Sequence, residues 1–161
     1  MRLPLALTFS TAVLAIAATS AQAQVISECD TRASAGNIVE PWSEHSRSYA
    51  EGAIRLALLE DAAAPDCCRR YLLVLAPAGD EAGDEADGMQ GRQCLVVAPR
   101  DEHGFRDLDI GRVAANYSPH LGLELSVPVW LHRDGTAPGA EPFADRMILL
   151  VNQETGRVSV E

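Results

Sequence analysis

The sequence contains no lysine, and all thirteen of its basic residues are arginine. This absence excludes mechanisms in which a lysine amine forms a Schiff base or acts as a general base. Three further signatures are missing: the His-Glu-x-x-His motif of zinc enzymes, the Gly-x-Ser-x-Gly elbow of serine hydrolases and the Cys-x-x-Cys motif of redox proteins. The sequence therefore gives no direct indication of a catalytic centre.

Basic residues are also scarce relative to acidic ones, 13 against 23, so the formal net charge at pH 7 is −10. Phosphate backbones and anionic membrane surfaces repel such a chain, which argues against nucleic acid and lipid headgroups as partners. The alternative interpretation is that the acidity serves solubility alone.

Only one apolar run approaches the length of a membrane span. It extends from Leu3 to Ala18, follows the positive charge of Arg2 and precedes the small-residue sequence AQA at 21–23. This order predicts a secretory signal peptide over residues 1–23, cut before Gln24. An uncleaved anchor is the alternative, which is disfavoured because a spanning helix needs about 20 apolar residues. The mature chain is then expected in the bacterial periplasm or outside the cell, with no membrane span after cleavage.

The rest of the chain is predicted to form one β-rich domain. Residues 24–46 are expected to be an irregular N-terminal segment, and residues 47–161 a single domain. Apolar runs of strand length occur at 52–60, 71–76, 93–98 and, in a closing hairpin, 146–161. Such short runs predict a mostly β fold, a small antiparallel sandwich or open barrel.

The clearest strand signal is the segment LGLELSVPVWLH at 121–132. Leucine and valine occupy all odd positions and mostly polar residues the even ones, which predicts one buried and one wetter face. Pro128 cannot donate a ladder hydrogen bond, so the strand is expected at a sheet edge or with a bulge at that position.

One short helix is predicted to interrupt the strands, at about 107–117. Asp107 is placed to cap it, and apolar residues recur at helical spacing at Ile110, Val113, Ala114 and Tyr117. Gly111 weakens a helix by about 1 kcal/mol relative to alanine, so packing is expected to hold it.

The wetter face of the 121–132 strand is the leading candidate for a binding surface. It carries Glu124, Ser126, Trp130 and His132, and tryptophan is enriched at interaction hot spots. Trp42, in the irregular segment, is a second candidate anchor. The alternative is that each tryptophan is covered by neighbouring chain and belongs to a satellite core, since large aromatics seldom stay uncovered in a stable monomer.

An acidic, glycine-rich segment at 77–91, PAGDEAGDEADGMQG, joins two of the predicted strands. Its carboxylates give a weak indication of calcium binding over Asp80–Asp87. The EF-hand pattern fails, because the third position from Asp80 is Ala82 and the twelfth is Gly91. We favour a solvated hairpin tip and predict no cofactor.

Histidines supply the alternative of a small hydrolase or metal-dependent enzyme. His103, in the sequence DEHGF, lies beside Asp101 and Glu102, and His132 ends the long strand. Adjacent residues in a turn rarely converge on one ion, and the four histidines show no metal-ligand spacing. We therefore predict no metal site and no catalytic residue, and place an enzyme behind a binding module.

Four cysteines allow three disulfide pairings, and two of them, Cys67 and Cys68, are adjacent. If the 71–76 and 93–98 strands form a simple hairpin, Cys94 lies opposite about residue 75. At ~3.3 Å per residue that is on the order of 20 Å from Cys68. A disulfide needs Cα atoms within about 7 Å, so Cys94 is predicted to pair with Cys29. Cys67 and Cys68 are then a strained vicinal disulfide, a redox site or free thiols, unless the simple hairpin is wrong.

The segments CDTRASAGNIVEPWSEHSRSYAEGAIRLALLE and GRQCLVV resemble a group of small exported proteins of alphaproteobacteria that has no assigned activity. The resemblance implies an exported protein of similar general shape and carries no catalytic motif. We therefore expect a non-enzymatic periplasmic or secreted binding or inhibitor-like module, whose partner is an unidentified protein or ligand. The alternatives are the small enzyme described above and a calcium- or redox-responsive structural protein.

Overall fold

A computed structural model describes residues 24–61, 69–79, 91–99, 104–132 and 143–161. Several predictions lie outside these residues: the signal peptide at 1–23, the thiols Cys67 and Cys68, the calcium alternative at Asp80–Asp87, and His103. No helix in the described part of the chain has the length and apolarity needed to cross a membrane.

Ten strands in the described residues form two five-stranded sheets. The first sheet contains β1 (Gln24–Glu28), β2 (Ser46–Tyr49), β3 (Ile54–Asp61), β4 (Arg69–Pro77) and β5 (Arg92–Pro99), in the order β1-β5-β4-β3-β2. The second contains β6 (Asp107–Leu108), β7 (Ala114–Ser118), β8 (Gly122–Leu131), β9 (Phe143–Val151) and β10 (Val158–Val160). Its order is β10-β9-β8, and β6 and β7 follow one another along the other side of β8. All these pairings are antiparallel, which confirms the predicted β fold class.

The two sheets pack their inward rows of side chains into one apolar core. On β8 every odd residue from Leu123 to Leu131 is buried, and every even residue from Glu124 to Trp130 is partly exposed. The predicted period-two alternation is therefore confirmed for this strand. Leu121 lies in the turn before β8 and is exposed, so the buried row begins one pair later than the sequence pattern indicates.

Pro128 lies in a strand with neighbours on both sides, so β8 is not at a sheet edge. The carbonyl of Pro128 accepts a hydrogen bond from the main-chain N–H of Asp109 at 3.1 Å. In an antiparallel sheet the N–H and the C=O of one residue point toward the same neighbouring strand. The N–H that Pro128 lacks would therefore also point toward the chain at Asp109. The neighbouring strand is interrupted there by a 3₁₀ turn at Ile110–Arg112. The irregularity expected at Pro128 thus lies in the adjacent strand.

The helix predicted at 107–117 is wrong, because these residues form β6, the 3₁₀ turn and β7. No helical segment in the described residues exceeds a three-residue 3₁₀ turn. Asp109, rather than Asp107, caps the turn by accepting a hydrogen bond from the N–H of Arg112 at 3.1 Å. The helical spacing of apolar residues was outweighed by pairing with β8, which satisfies the backbone while Leu108 and Ile110 are buried.

The N-terminal segment predicted to be irregular begins with strand β1, which pairs with β5. The chain then crosses the outer face of the first sheet through two 3₁₀ turns, Thr31–Ala33 and Ala35–Asn37. It covers a second apolar cluster that includes Tyr71. The guanidinium of Arg32 lies 5.1 Å from the Tyr71 ring centroid, and its hydrogen bonds hold the pKa of Asp30 below the ordinary value. This segment is therefore packed onto the sheet.

The predicted disulfide between Cys29 and Cys94 is present, with the two Cα atoms 5.3 Å apart. Cys94 lies opposite Leu75 in the register of β4 and β5, as the simple hairpin predicts. The N–H of Cys29 also donates to the carbonyl of Cys94 at 3.0 Å. The disulfide thus continues the β1–β5 ladder and fixes the N-terminal segment to the first sheet.

The predicted C-terminal hairpin is formed by β9 and β10. The side-chain oxygen of Asn152 accepts hydrogen bonds from the N–H groups of Glu154 and Thr155, at 3.0 Å each. Gly156 has a φ of +69°, a left-handed conformation that glycine adopts without steric cost. Asn152 and Gly156 together therefore stabilise the turn.

Gly104 is the glycine whose replacement by alanine is expected to be most informative. Its φ is +77°, and a Cβ would lie 3.0 Å from the carbonyl oxygen of Arg70. We expect Gly104→Ala to lower the free energy of unfolding by about 2 kcal/mol, since the left-handed conformation alone disfavours alanine by about 1–2 kcal/mol. Urea denaturation measures this. The matched control is Gly36→Ala, whose Cβ would have 3.9 Å to its nearest atom and should change stability by less than about 0.5 kcal/mol.

Candidate binding cleft

A cleft of about 490 Å³ lies where β2 and β4 of the first sheet approach the 3₁₀ turn and β6 of the second. Three buried side chains, Leu58, Leu108 and Ile110, form its apolar floor. Polar side chains from both sheets and from the loop before β2 surround this floor. The cleft therefore combines an apolar base with a charged rim, as ligand sites commonly do.

The charged residues beside the cleft continue the inward side-chain rows of β3 and β4. On β3 the inward row of Ile54, Leu56 and Leu58 continues to Glu60, and on β4 the inward row ends in Arg70. Glu60 and Arg70 are directly opposite one another in the β3–β4 register. The two-residue repeat of the strands thus places a carboxylate and a guanidinium side by side where the apolar rows end.

Arg70 is the centre of a three-residue ion-pair network. Its Nε donates to Oε2 of Glu60 at 3.1 Å, and its Nη1 donates to Oδ1 of Asp107 on the opposite sheet. Burial lowers the pKa of Arg70, but the hydrogen bonds and the negative charges of Glu60 and Asp107 together raise it by more, so the net shift is upward. Main-chain hydrogen bonds between Arg70 and Phe105, at 2.7 and 3.1 Å, hold the two sheets together at the same place. The guanidinium therefore remains charged and fixed.

Trp130 forms a wall of the cleft beside this network. It is paired with Asp107 in the β6–β8 register, so the indole and the carboxylate are neighbours on one face. Trp130 is partly exposed, less so than Trp42 and Tyr117, and it belongs to neither apolar core cluster. The sequence therefore identified a tryptophan that faces a cavity.

The entrance to the cleft is shaped by the loop that precedes β2. Ser43, Glu44 and His45 of this loop line the cleft, and Arg47 fastens it. The Nη1 of Arg47 donates to the main-chain carbonyls of Ser43, Glu44 and Ser46, at 3.2, 3.3 and 2.7 Å. Arg47 therefore uses its guanidinium to hold the loop in place.

The other predicted binding residues do not join Trp130 in the cleft. Glu124 and Ser126 lie on the same face of β8, but six and four residues away, and Ser126 accepts a hydrogen bond from Arg146 at 3.0 Å. His132 follows the end of β8 and is partly exposed. Trp42 is 53% exposed and adjoins the entrance residue Ser43. Of the predicted face, only Trp130 reaches the cavity.

No three histidine, cysteine or carboxylate side chains among the described residues are arranged to hold a metal ion. The calcium alternative and the His103 alternative fall outside those residues. Comparison of the chain with protein-family models, curated proteins and solved structures finds no match. The resemblance to small exported alphaproteobacterial proteins therefore stays a prediction.

Proposed function

We propose that this protein is an exported, non-enzymatic binding module that takes its ligand in the cleft beside Trp130. The observation that carries the proposal is the cleft itself: an indole wall and an apolar floor next to an ordered ion-pair network. Such a combination supplies apolar contact area together with a few fixed polar groups. Export is supported by the signal-peptide pattern at 1–23 and by the Cys29–Cys94 disulfide, which persists in oxidising compartments.

The charged groups of the cleft favour recognition over catalysis. Both carboxylates that contact Arg70 are already engaged by a permanently charged guanidinium. The guanidinium itself cannot serve as a general acid or base, because arginine stays protonated in proteins. The network is suited to fixing the shape and the charge of a binding surface.

The chain contains two tryptophans, which makes the proposal testable by fluorescence. In a Trp42→Phe background the emission reports on Trp130 alone. A panel of amino acids, oligosaccharides and short peptides is titrated into this variant, and a bound ligand is expected to change the emission in a saturable way. Replacing Trp130 by alanine should weaken the same ligand by at least about tenfold, measured by calorimetry, because truncating a central aromatic contact removes its buried area.

Trp42→Ala serves as the control, because Trp42 is 53% exposed and does not line the cleft. It should bind the ligand as the unaltered protein does. Far-ultraviolet circular dichroism establishes that each variant is folded. Binding in the cleft would be refuted by a ligand whose affinity is unaffected by Trp130→Ala and which shifts the NMR signals of Glu124 and Ser126. Such a result would favour the outer face of β8 as the binding site.

A further inference from the structure

The guanidiniums of the cleft are partly used by the protein itself. Arg70 is shared between the carboxylates of Glu60 and Asp107 through Nε and Nη1, so an anionic ligand could pair with it only against their charge. Arg47 donates through Nη1 to three main-chain carbonyls of the entrance loop and keeps Nε and Nη2.

The carboxylates of the cleft also retain free acceptor oxygens. The side-chain carboxylate of Glu44 is exposed and has no hydrogen-bond or ion-pair partner among the described residues. The side chain of Asp107 is 48% exposed, and its hydrogen bonds to Arg70 and to the N–H of Leu108 both use Oδ1. Asp109 also lines the cleft, although Arg112 lies 3.7 Å from it on the outside. Glu44 and Asp107 thus keep acceptor oxygens for a cationic group.

The indole of Trp130 also favours a cationic ligand. The face of a tryptophan ring attracts ammonium and guanidinium groups, and more strongly so next to a carboxylate that completes their hydrogen bonds. Asp107 is that neighbour, by its register with Trp130. Below them, Leu58 and Ile110 offer apolar surface to an aliphatic stem.

From these contacts we propose that the cleft binds an arginine or lysine side chain presented by a basic polypeptide. The cationic head lies between Trp130 and the free oxygens of Asp107 and Glu44, and the methylene stem packs on Leu58 and Ile110. A polypeptide is favoured over a small free cation because the net charge of −10 extends the attraction well beyond the cleft. This inference rests on the proposed function and specifies the ligand of the same site.

The test uses the hexapeptide acetyl-(Arg-Gly)₃-amide and its citrulline counterpart, which keeps the shape of arginine without the charge. Titrations follow Trp130 emission in the Trp42→Phe background. The arginine peptide is expected to bind about tenfold more tightly than the citrulline peptide. Raising NaCl from about 0.05 M to about 0.5 M should lower the affinity for the arginine peptide about fivefold, because salt screens the charges at the rim of the cleft. N-acetyl-arginine amide, the small free cation, is expected to bind more weakly than the peptide.

Glu44→Gln is the decisive variant, because the Glu44 carboxylate is exposed and unpaired among the described residues, so neutralising it leaves folding intact. This variant should bind the arginine peptide about threefold more weakly than the unaltered protein does. The matched control is Glu154→Gln, an exposed carboxylate in the turn after β9 that does not line the cleft, which should change nothing.

Three results would overturn the inference. If the citrulline peptide binds as tightly as the arginine peptide and both depend on Trp130, the binding module stands but its preference for a cation does not. If the arginine peptide gives no saturable change in Trp130 emission, the proposal of a cationic ligand is wrong. The wider ligand panel then still tests whether the protein is a binding module. If it binds but Glu44→Gln and Glu154→Gln weaken it equally, the attraction is a property of the whole acidic surface rather than of the cleft.

Discussion

Replacing Cys29 and Cys94 together by alanine is expected to lower the free energy of unfolding by about 4 kcal/mol. The disulfide joins residues 65 positions apart, and closing a loop of that length removes a large part of the conformational entropy of the unfolded chain. Domains of this kind have a total stability of about 5–15 kcal/mol, so the loss is a large fraction of it.

The effect should concentrate at the N-terminal segment. Cys29 and Cys94 both pack against the apolar cluster on the outer face of the first sheet, together with Ile38 and Leu75. Without the cross-link, the segment is held by β1, by the contacts of Ile38 and by the position of Arg32 on Tyr71. Hydrogen exchange in the double variant is therefore expected to accelerate first in β1 and in the two 3₁₀ turns that follow it.

Urea denaturation measures the stability change, and peptide mapping without reduction identifies the bridge. The control replaces Cys67 and Cys68 by alanine and should still yield the Cys29–Cys94 peptide. A stability loss below about 1 kcal/mol in the Cys29/Cys94 variant would contradict the prediction, because a 65-residue closure cannot contribute so little unless the unfolded chain is already constrained. Mapping that links Cys94 to Cys67 or Cys68 would contradict the register of β4 and β5 itself.

The elements that the sequence predicted correctly are those whose pattern has a single physical explanation. Alternation over β8 fits only a strand with one buried face, and it was read to within one residue at each end. The disulfide followed from strand rise alone, because a simple hairpin sets Cys94 opposite Leu75, about seven residues along the chain from Cys68. Both conclusions depend on local spacing, which the sequence contains directly.

The failure at 107–117 has the opposite cause. Apolar residues at helical spacing also fit a strand, a turn and a second strand when each can bury its side chains against a partner. That partner is β8, which contacts β6 at Val129 and Trp130 and β7 at 122–126. Pairing of this kind is a property of the tertiary fold, and β1 was missed for the same reason, since its partner β5 lies about 70 residues away.

Of the cleft, the sequence indicated Trp130 and missed the residues around it. A signal did exist for Arg70 and for its ion-pair partner Glu60: continuing the apolar rows of β3 and β4 by one step reaches both, and a hairpin sets them opposite each other. No comparable signal marks Asp107, Glu44 or Arg47, because they reach the cleft from the second sheet, from the loop before β2 and from β2 itself. Sites assembled from distant segments are not visible in local periodicity.

Phe105→Ala is the second change with a large expected effect, a loss of about 3–5 kcal/mol in the free energy of unfolding. The Phe105 side chain is fully buried in the main core, and its main-chain groups exchange two hydrogen bonds with Arg70. Truncation would leave a cavity at the point where the chain passes from one sheet to the other. Phe105 lies two residues before Asp107, so the same change should also loosen the wall of the cleft.

The measurement is urea denaturation with the disulfide intact. Tyr117→Ala is the control, because Tyr117 is 65% exposed and its truncation should change stability by less than about 0.5 kcal/mol. Phe105→Leu keeps most of the apolar volume and should lose only about 1 kcal/mol. A small loss in Phe105→Ala would mean that the residue is not part of the core, and the sheet-to-sheet connection at Arg70 would have to be redrawn. A large loss in both Phe105→Ala and Phe105→Leu would instead indicate that the aromatic ring itself, rather than its volume, holds the two sheets in register at the cleft.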